Sequence, residues 1–206
     1  MKKRTYKSPV RERQADDTRR RIVAATRRLL QSEGYAGMTI EAIAKRAGVS
    51  AQSVYAIFKS KTGVLIELLN ESAFTPDYEA TVRQAMSARE PETRLRIAAR
   101  IARQIHDAQS AAFELLRGAG VVAPELANLE QQREDVRYER QEQMIISLRK
   151  EGRLRPGLDY QAARDIFWMF TGGDVYRMLV RERGWSSAKY QEWLGETLVE
   201  SLLSPR

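Results

Sequence analysis

The sequence predicts an all-α protein in which an N-terminal three-helix unit precedes an antiparallel helical bundle. Apolar residues recur at the three- and four-residue spacing of amphipathic helices, and no segment of useful length shows the alternation typical of strands. Glycine and aspartate stand where helices end or begin, as at Gly152, Gly184 and Asp159. We expect the bundle helices near residues 77–88, 92–107, 109–117, 124–151, 160–183 and 187–203.

Two short helices between residues 39 and 61 form the centre of the N-terminal unit. Thr39 and Ser50 are hydroxyl N-caps, and Gly48 supplies the positive φ that ends the first of these helices. On the second helix Val54 and Phe58 face inward, which leaves outward side chains that are small, polar or aromatic, and uncharged. These outward residues are Ala51, Gln52, Ser53, Tyr55 and Ala56. Such a surface approaches base-pair edges closely, as the second helix of a helix-turn-helix does in the major groove.

A preceding helix is expected from near Asp17 to Gly34, where it would pack on the helix-turn-helix. Because Pro9 breaks an earlier helix, residues 1–16 are expected to form a flexible basic arm. A further helix should follow Ser60, which is its N-cap, and carry apolar residues toward the rest of the chain.

The positive charge of the chain is concentrated in its N-terminal part. The net charge is +8 over 206 residues, but residues 1–61 hold 15 Lys and Arg against 5 Asp and Glu. The remaining residues, 62–206, are slightly acidic, with 20 Lys and Arg against 22 Asp and Glu. A basic segment beside a near-neutral one indicates a polyanion as partner.

Several classes of function are disfavoured by composition. The chain has no cysteine and one histidine, His106, so it offers neither a thiolate site nor a cluster of imidazoles for a metal. No nucleophile–base–orienter set is discernible around His106, and we expect neither enzymatic activity nor a cofactor. No apolar run has the length of a membrane span, and the N-terminus lacks the apolar core of a signal peptide. We therefore expect a soluble, cytoplasmic protein.

Three stretches carry a resemblance to a known family. The strings TIEAIAKRAGVS, VYAIFKSK and GVLIELL, between about Thr18 and Leu69, resemble the DNA-binding domain of TetR-family transcriptional regulators. The resemblance implies a flexible arm at 1–16, a helix-turn-helix domain at 17–62, and a ligand-binding and dimerisation domain at 63–206. It implies double-stranded DNA, an unknown small-molecule effector and a second copy of the chain as partners.

The resemblance and the outward face together give the expected DNA contacts. The resemblance places a DNA-contacting tyrosine at Tyr55 and phosphate contacts at Thr39 and Lys61, although Thr39 serves equally well as a plain N-cap. From the chemistry of their side chains, Gln52 and Ser53 are the best base readers, whereas Ala51 and Ala56 offer only methyl contacts.

Residues 166–179 and 190–203 carry more apolar surface than one helix face can bury internally. In TetR-like proteins the last two helices of each subunit form a four-helix dimer interface, and these two helices resemble that pair. The dimer contacts expected on them are Phe170, Leu179, Trp193, Leu198 and Leu202. The alternative is a single larger monomeric core.

The bundle is larger than dimerisation requires, which suggests a ligand pocket inside it. The expected wall residues are Phe113, Leu116, Arg137, Tyr138, Phe167 and Tyr176. The alternative for the arginines of the 124–151 helix is a salt-bridged surface helix, because acidic residues alternate with them. His106 is expected near a helix C-terminus, where the helix dipole favours a cation.

Taken together, these features predict a DNA-binding regulator, a repressor that binds an inverted repeat as a homodimer and is released by a small molecule. The alternative is a helical protein with a ligand-binding or enzymatic role and only incidental DNA binding. An RNA-binding role is disfavoured because no aromatic stacking platform is discernible and the major groove of double-stranded RNA is too narrow for a helix.

Overall fold

The computed structural model describes the backbone of residues 9–73, 75–120 and 124–205, and the side chains of 13–71, 75–109 and 127–205. This part of the chain is all-α, as predicted, and it divides into two compact bodies. Its helices are α1 (Pro9–Gly37), α2 (Ile40–Ala47), α3 (Ala51–Phe58), α4 (Lys61–Ala73), α5 (Pro76–Ser87), α6 (Pro91–Gly120), α7 (Pro124–Lys150), α8 (Tyr160–Phe170), α9 (Gly173–Tyr176) and α10 (Ser187–Leu202), with a π-helical segment, Arg177–Glu182, after α9.

The helix-turn-helix has the predicted caps. The Thr39 hydroxyl accepts a hydrogen bond from the N–H of Ala42 at 3.1 Å, and the Ser50 hydroxyl accepts one from the N–H of Ser53 at 3.1 Å. Gly48 ends α2 with a φ of 66°, a conformation that glycine adopts without a Cβ penalty. These local interactions fix where each short helix begins and ends.

The first body is held together by a core to which helices α1 to α4 all contribute. Its large buried residues are Ile22, Leu29, Leu30, Met38, Ile43, Val54, Phe58, Val64, Leu65, Leu68 and Leu69. The sequence placed the helix that follows Ser60 in the second domain, but in the structure α4 buries four apolar residues in this first core. The helix therefore belongs structurally to the helix-turn-helix body.

The first helix begins earlier than predicted. It starts at Pro9 and not near Asp17, so residues 9–16 are helical rather than part of an arm. The prediction was wrong because proline is compatible with the first helical turn, where its missing N–H would have no intrahelical partner. The predicted end is confirmed, since Gly34 has a φ of 69° and interrupts the helix there.

Two predicted bundle helices, 92–107 and 109–117, form one continuous helix, α6. No glycine or proline lies between the two predicted segments, so nothing in the sequence interrupts the helical hydrogen bonds. As a result His106 lies inside a helix and not near its end, which removes the helix-dipole argument for this residue.

The predicted helix 160–183 is instead broken in the middle. It ends at Phe170, restarts at Gly173 and continues as the π-helical segment. Thr171 and Gly172 form the break. The glycine pair Gly172–Gly173 accounts for the interruption, because glycine stabilises a helix interior poorly.

A second core fills the C-terminal body. Its large buried residues come from α6, α7, α8, α9 and α10, and they include Leu95, Ile145, Leu148, Phe167, Tyr176, Tyr190, Leu194, Leu198 and Leu202. Arginine–carboxylate pairs surround this core, among them Arg96–Glu196, with Nε to Oε1 at 2.7 Å, and Arg153–Glu92, with Nη2 to Oε1 at 2.6 Å.

The junction between α3 and α4 requires glycine at position 63. A Cβ built on Gly63 would lie 2.0 Å from the carbonyl oxygen of Phe58, the last residue of α3. Gly→Ala inside a helix ordinarily stabilises it by up to about 1 kcal/mol. Here the backbone would have to move, so Gly63→Ala should destabilise the first body by about 2 kcal/mol or more.

Chemical denaturation followed by circular dichroism measures this effect. Thr62→Ala, one residue earlier in α4, is the control and should change the free energy of unfolding little. A Gly63→Ala protein as stable as the unmodified chain would contradict the close approach.

Candidate nucleic-acid interface and C-terminal sites

Helix α3 presents one face to its own core and leaves the other free. Val54 is fully buried and Phe58 is 6% exposed, whereas Tyr55 is 49% exposed. Gln52 and Ala56 are exposed beside Tyr55, and Ala51 and Ser53 are half-buried. The outward face predicted from the sequence therefore exists, with an amide and a phenol at its centre.

The hydroxyl groups near this face take part in local bonds. The hydroxyls of Ser53 and Ser50 lie 2.8 Å apart, so Ser53 is part of the α3 cap as well as of the outer helix turn. Thr39 is exposed and caps α2. Its capping role is therefore realised, and a phosphate contact by Thr39 stays a prediction.

Lys61 is anchored to the C-terminal end of α1, after the interruption at Gly34. Its ammonium donates a hydrogen bond to the carbonyl oxygen of Tyr35 at 2.7 Å and lies 3.4 Å from the centroid of the Tyr35 ring. The charge is thereby held at the N-terminal end of α4, near exposed Lys59. A phosphate contact by Lys61 stays a prediction.

Arg19 links three helices of the first body. Its Nε donates to Glu67 of α4 at 2.9 Å, and its guanidinium lies 5.1 Å from the centroid of the Phe58 ring at the end of α3. The pairing could not be predicted from the sequence, because it joins two residues 48 positions apart. The contact fixes the ends of α3 and α4 relative to α1.

The predicted ligand-pocket residues do not share one cavity among the described side chains. Phe167 and Tyr176 are core residues, and the Tyr176 hydroxyl donates to Asp107 at 2.5 Å. Tyr138 instead lies on a surface groove between α7 and α8. Phe113 and Leu116 lie outside the described side chains.

Arg137 fills a structural role at the end of α8. It forms an ion pair with Glu134 and donates to the Trp168 carbonyl at 2.8 Å and to the Thr171 hydroxyl at 3.1 Å. The ion pair agrees with the alternative of a salt-bridged helix. The bond to the Trp168 carbonyl supplies a donor at a helix end, where backbone carbonyl groups lack N–H partners from a following turn.

His106 makes a further hydrogen bond at this helix end. Its Nε2 lies 3.0 Å from the carbonyl oxygen of Thr171, and because that oxygen can only accept, Nε2 must carry the proton. The ring also lies against Tyr176, with 5.2 Å between ring centroids. Burial lowers the pKa of His106, although the bond to the Thr171 carbonyl partly opposes this effect.

The predicted dimer contacts separate into two groups. Leu198 and Leu202 are fully buried in the core of the single chain, so their assignment to the dimer surface was wrong. Both lie on the apolar face of α10 that packs in the C-terminal core. Phe170, Leu179 and Trp193 are half-buried and pack on the rim of that core, which leaves part of each accessible.

The described part of the chain contains neither a metal-binding cluster nor a membrane-spanning helix. No group of three or more His, Cys, Asp or Glu residues in this part of the chain is placed to hold a metal ion. No helix among the described residues is long and apolar enough to cross a membrane.

The fold and the exposed α3 define a helix-turn-helix protein with a C-terminal helical body. Residues 22–68, a minority of the chain, match the family of bacterial regulatory proteins described as the tetR family. The helix-turn-helix segment of this chain is thus similar to that of the tetR-family regulatory proteins. No functionally curated protein matches the sequence.

Solved structures of similar fold cover nearly the whole chain. NalD from Pseudomonas aeruginosa, the secondary repressor of the MexAB-OprM multidrug efflux pump, is 20% identical over 92% of this chain and 98% of its own, with a TM-score of 0.64. FadR from Bacillus subtilis, in complex with stearoyl-CoA, is 17% identical over 88% and 98%, with a TM-score of 0.63. A Saccharomonospora viridis protein in complex with choline is 20% identical over 92% and 100%, with a TM-score of 0.65.

The single histidine makes a pH test of the α8 end unambiguous. Because the pKa of His106 is lower in the folded chain than its ordinary value of 6.5, the unfolded chain binds the proton more readily. Stability should therefore be fully present above pH 6.5 and should fall as the pH drops from there toward the folded-state pKa.

Urea unfolding at a series of pH values between about 7 and 5.5, where carboxylates stay largely ionised, measures this loss. His106→Gln keeps an N–H donor for Thr171 but binds no proton, so its stability should be nearly constant over this range. Equal pH dependence in both proteins would show that His106 is not the group responsible.

Proposed function

We propose that this chain is a DNA-binding transcriptional repressor that acts as a homodimer on an inverted-repeat operator. The observation that carries the proposal is the free face of α3, where Gln52 and Tyr55 stand outward while Val54 and Phe58 anchor the helix. Amide and hydroxyl groups on a helix that enters the major groove are suited to reading base edges. The positive charge of residues 1–61 supplies the sequence-independent attraction to phosphate.

Regulation by a small molecule is the second part of the proposal. NalD is a repressor by its description, and the similar folds from Bacillus subtilis and Saccharomonospora viridis were solved with stearoyl-CoA and choline. These relatives support an effector that binds the C-terminal body and lowers the affinity for DNA. The effector acts only if it binds the DNA-free form more tightly, and a hundredfold preference corresponds to about 2.7 kcal/mol of coupling.

Helix α4 is the element that would carry the effect to the DNA-binding face. It shares the core of the first body, and it meets α3 at the close approach of Gly63 to Phe58. A displacement of α4 would therefore move α3 directly and change the spacing of the two recognition helices in the dimer. This role requires no catalysis, and its DNA target places the protein in the cytoplasm.

The DNA-binding half is tested at Tyr55. Tyr55→Phe should weaken binding to a DNA duplex recovered from the protein's own genomic targets by about 1 kcal/mol, close to fivefold, because one hydrogen bond is lost. Tyr160→Phe removes a tyrosine hydroxyl bonded to Glu142 in the other body and should leave DNA affinity unchanged. Fluorescence anisotropy at a fixed salt concentration measures both.

An RNA duplex of the same sequence is the second control for that experiment. Equal affinity of the unmodified chain for RNA and DNA would contradict the proposal that the protein is a DNA-binding regulator. Unchanged DNA affinity after Tyr55→Phe would remove only this residue from the interface.

The homodimer is tested by comparing a charged substitution at a half-buried leucine with one at a fully buried leucine. Leu179→Glu should dissociate the dimer while the helix content is kept, because the charge would be unpaired within the interface. Leu198→Glu should instead unfold the C-terminal body, since this leucine is fully buried in the chain's own core. Sedimentation should give about twice the chain mass of 23.6 kDa for the unmodified protein and one chain mass for Leu179→Glu. A monomeric unmodified chain at micromolar concentration would contradict the proposal.

A further inference from the structure

A groove of about 390 Å³ runs between α7 and α8 on the C-terminal body. Its walls are mainly apolar, and three carboxylates, Glu134, Asp135 and Asp165, stand among the residues that line it. No lysine or arginine belongs to the lining. The volume lies in the range of sites for small ligands.

Two of these carboxylates lack the cationic partner that several other acidic residues of this body have. Asp135 accepts a hydrogen bond from the Gln131 amide at 2.8 Å, and Asp165 accepts one from the Tyr138 hydroxyl at 2.8 Å. All of their hydrogen-bond donors are neutral, and within the described residues neither forms an ion pair. Glu134, by contrast, is paired with Arg137. Asp135 and Asp165 thus carry negative charge at the groove that no described ion pair of their own offsets.

Several other acidic groups of the body show the opposite arrangement. Each of the following pairs joins a carboxylate to a guanidinium: Arg94–Glu151, Arg96–Glu196, Arg103–Asp107, Arg153–Glu92 and Arg164–Glu142. Against this pattern, the negative charge of the groove favours a cation supplied from outside the chain.

The aromatic walls of the groove suit the same kind of ligand. The rings of Tyr138 and Trp168 meet edge to face, with 6.2 Å between centroids. Each ring already has a guanidinium near it, Arg164 at 4.2 Å from the Tyr138 centroid and Arg137 at 5.1 Å from that of Trp168. Aromatic faces bind organic ammonium groups by the same electrostatic attraction.

We propose that this groove binds an organic cation, a quaternary or protonated amine with an apolar body. The ammonium would lie near Asp135 and Asp165, and the apolar part would lie against Trp168 and the exposed side chain of Met169. A metal ion is a poorer match, because the carboxylates are not among any described group placed to hold one. The proposal names a chemical class for the effector in the proposed function. Binding of the cation to the groove does not depend on that function, whereas an effect of the cation on DNA affinity does.

Benzyltrimethylammonium and its neutral isostere neopentylbenzene are suitable probes. They have the same shape and differ in charge, so a comparison of the two isolates the electrostatic contribution of the site. Ligand-detected NMR with the full-length protein should show saturable binding of the cation at millimolar concentration and clearly weaker binding of the neutral compound. Equal binding of the two compounds, or no saturable binding of the cation, would overturn the proposal.

Two variants locate the binding in the groove. Asp135→Asn combined with Asp165→Asn should weaken cation binding by about tenfold and leave the neutral compound unaffected, given two partly exposed charge contacts. The matched control, Glu192→Gln with Glu200→Gln, removes the same charge from exposed positions on α10 and should change binding less than twofold. Equal effects of both double variants would show that only net charge matters, and the groove assignment would fail.

Met169→Trp, at a half-exposed position, should fill the groove and weaken both compounds. Unchanged binding in this variant, in a protein with normal helix content, would place the ligand elsewhere. Loss of cation binding as the protein concentration rises into the dimeric range would also overturn the proposal, because a second copy of the chain would then cover the groove.

The DNA consequence is measured separately, with the cation added to a preformed DNA complex. If the cation binds saturably in the groove but DNA affinity is unchanged, the binding site is supported and the proposed ligand response is contradicted. If another compound releases the DNA and no cation binds in the groove, the proposed ligand response is supported and the cation site is contradicted.

Discussion

The close contact between the end of α3 and the start of α4 is the constraint on which the DNA-binding surface depends. An eight-residue helix is too short to persist alone, so α3 exists because Val54 and Phe58 are buried and because its last carbonyl lies against Gly63. Because the buried face and the C-terminal end of α3 are fixed, the side chains of Gln52, Tyr55 and Ala56 face solvent. The functional surface therefore follows from how the helix is held rather than from the contacting residues themselves.

A comparable constraint organises the C-terminal body at the break after α8. Interrupting a helix leaves carbonyl groups without partners, and Arg137 of α7 and His106 of α6 supply donors to them. The break thus joins three helices through polar contacts inside an otherwise apolar bundle. Arg137, which the sequence analysis expected in a pocket wall, and His106, which it expected near a helix C-terminus, both donate hydrogen bonds to this helix end.

The features that the sequence predicted correctly are those set by neighbours within a few residues. The caps at Thr39 and Ser50 and the helix ends at Gly34 and Gly48 need only local hydrogen bonds and backbone preferences. The burial of Leu198 and Leu202, and the groove beside Asp165, depend on how distant helices pack. Helical periodicity shows that a face is apolar but not which surface covers it, so the sequence could not distinguish the chain's own core from a partner.

The central claim is that α3 reads duplex DNA in a symmetric pair, and selection from a random pool of duplexes tests it most directly. The unmodified chain should enrich an inverted repeat whose half-site centres lie about one helical turn, or a multiple of it, apart. Gln52→Ala should lose the base preference at one position in each half-site, symmetrically, while the spacing is kept. Failure to enrich any sequence, or enrichment of a motif without twofold symmetry that Gln52→Ala leaves unchanged, would contradict the account.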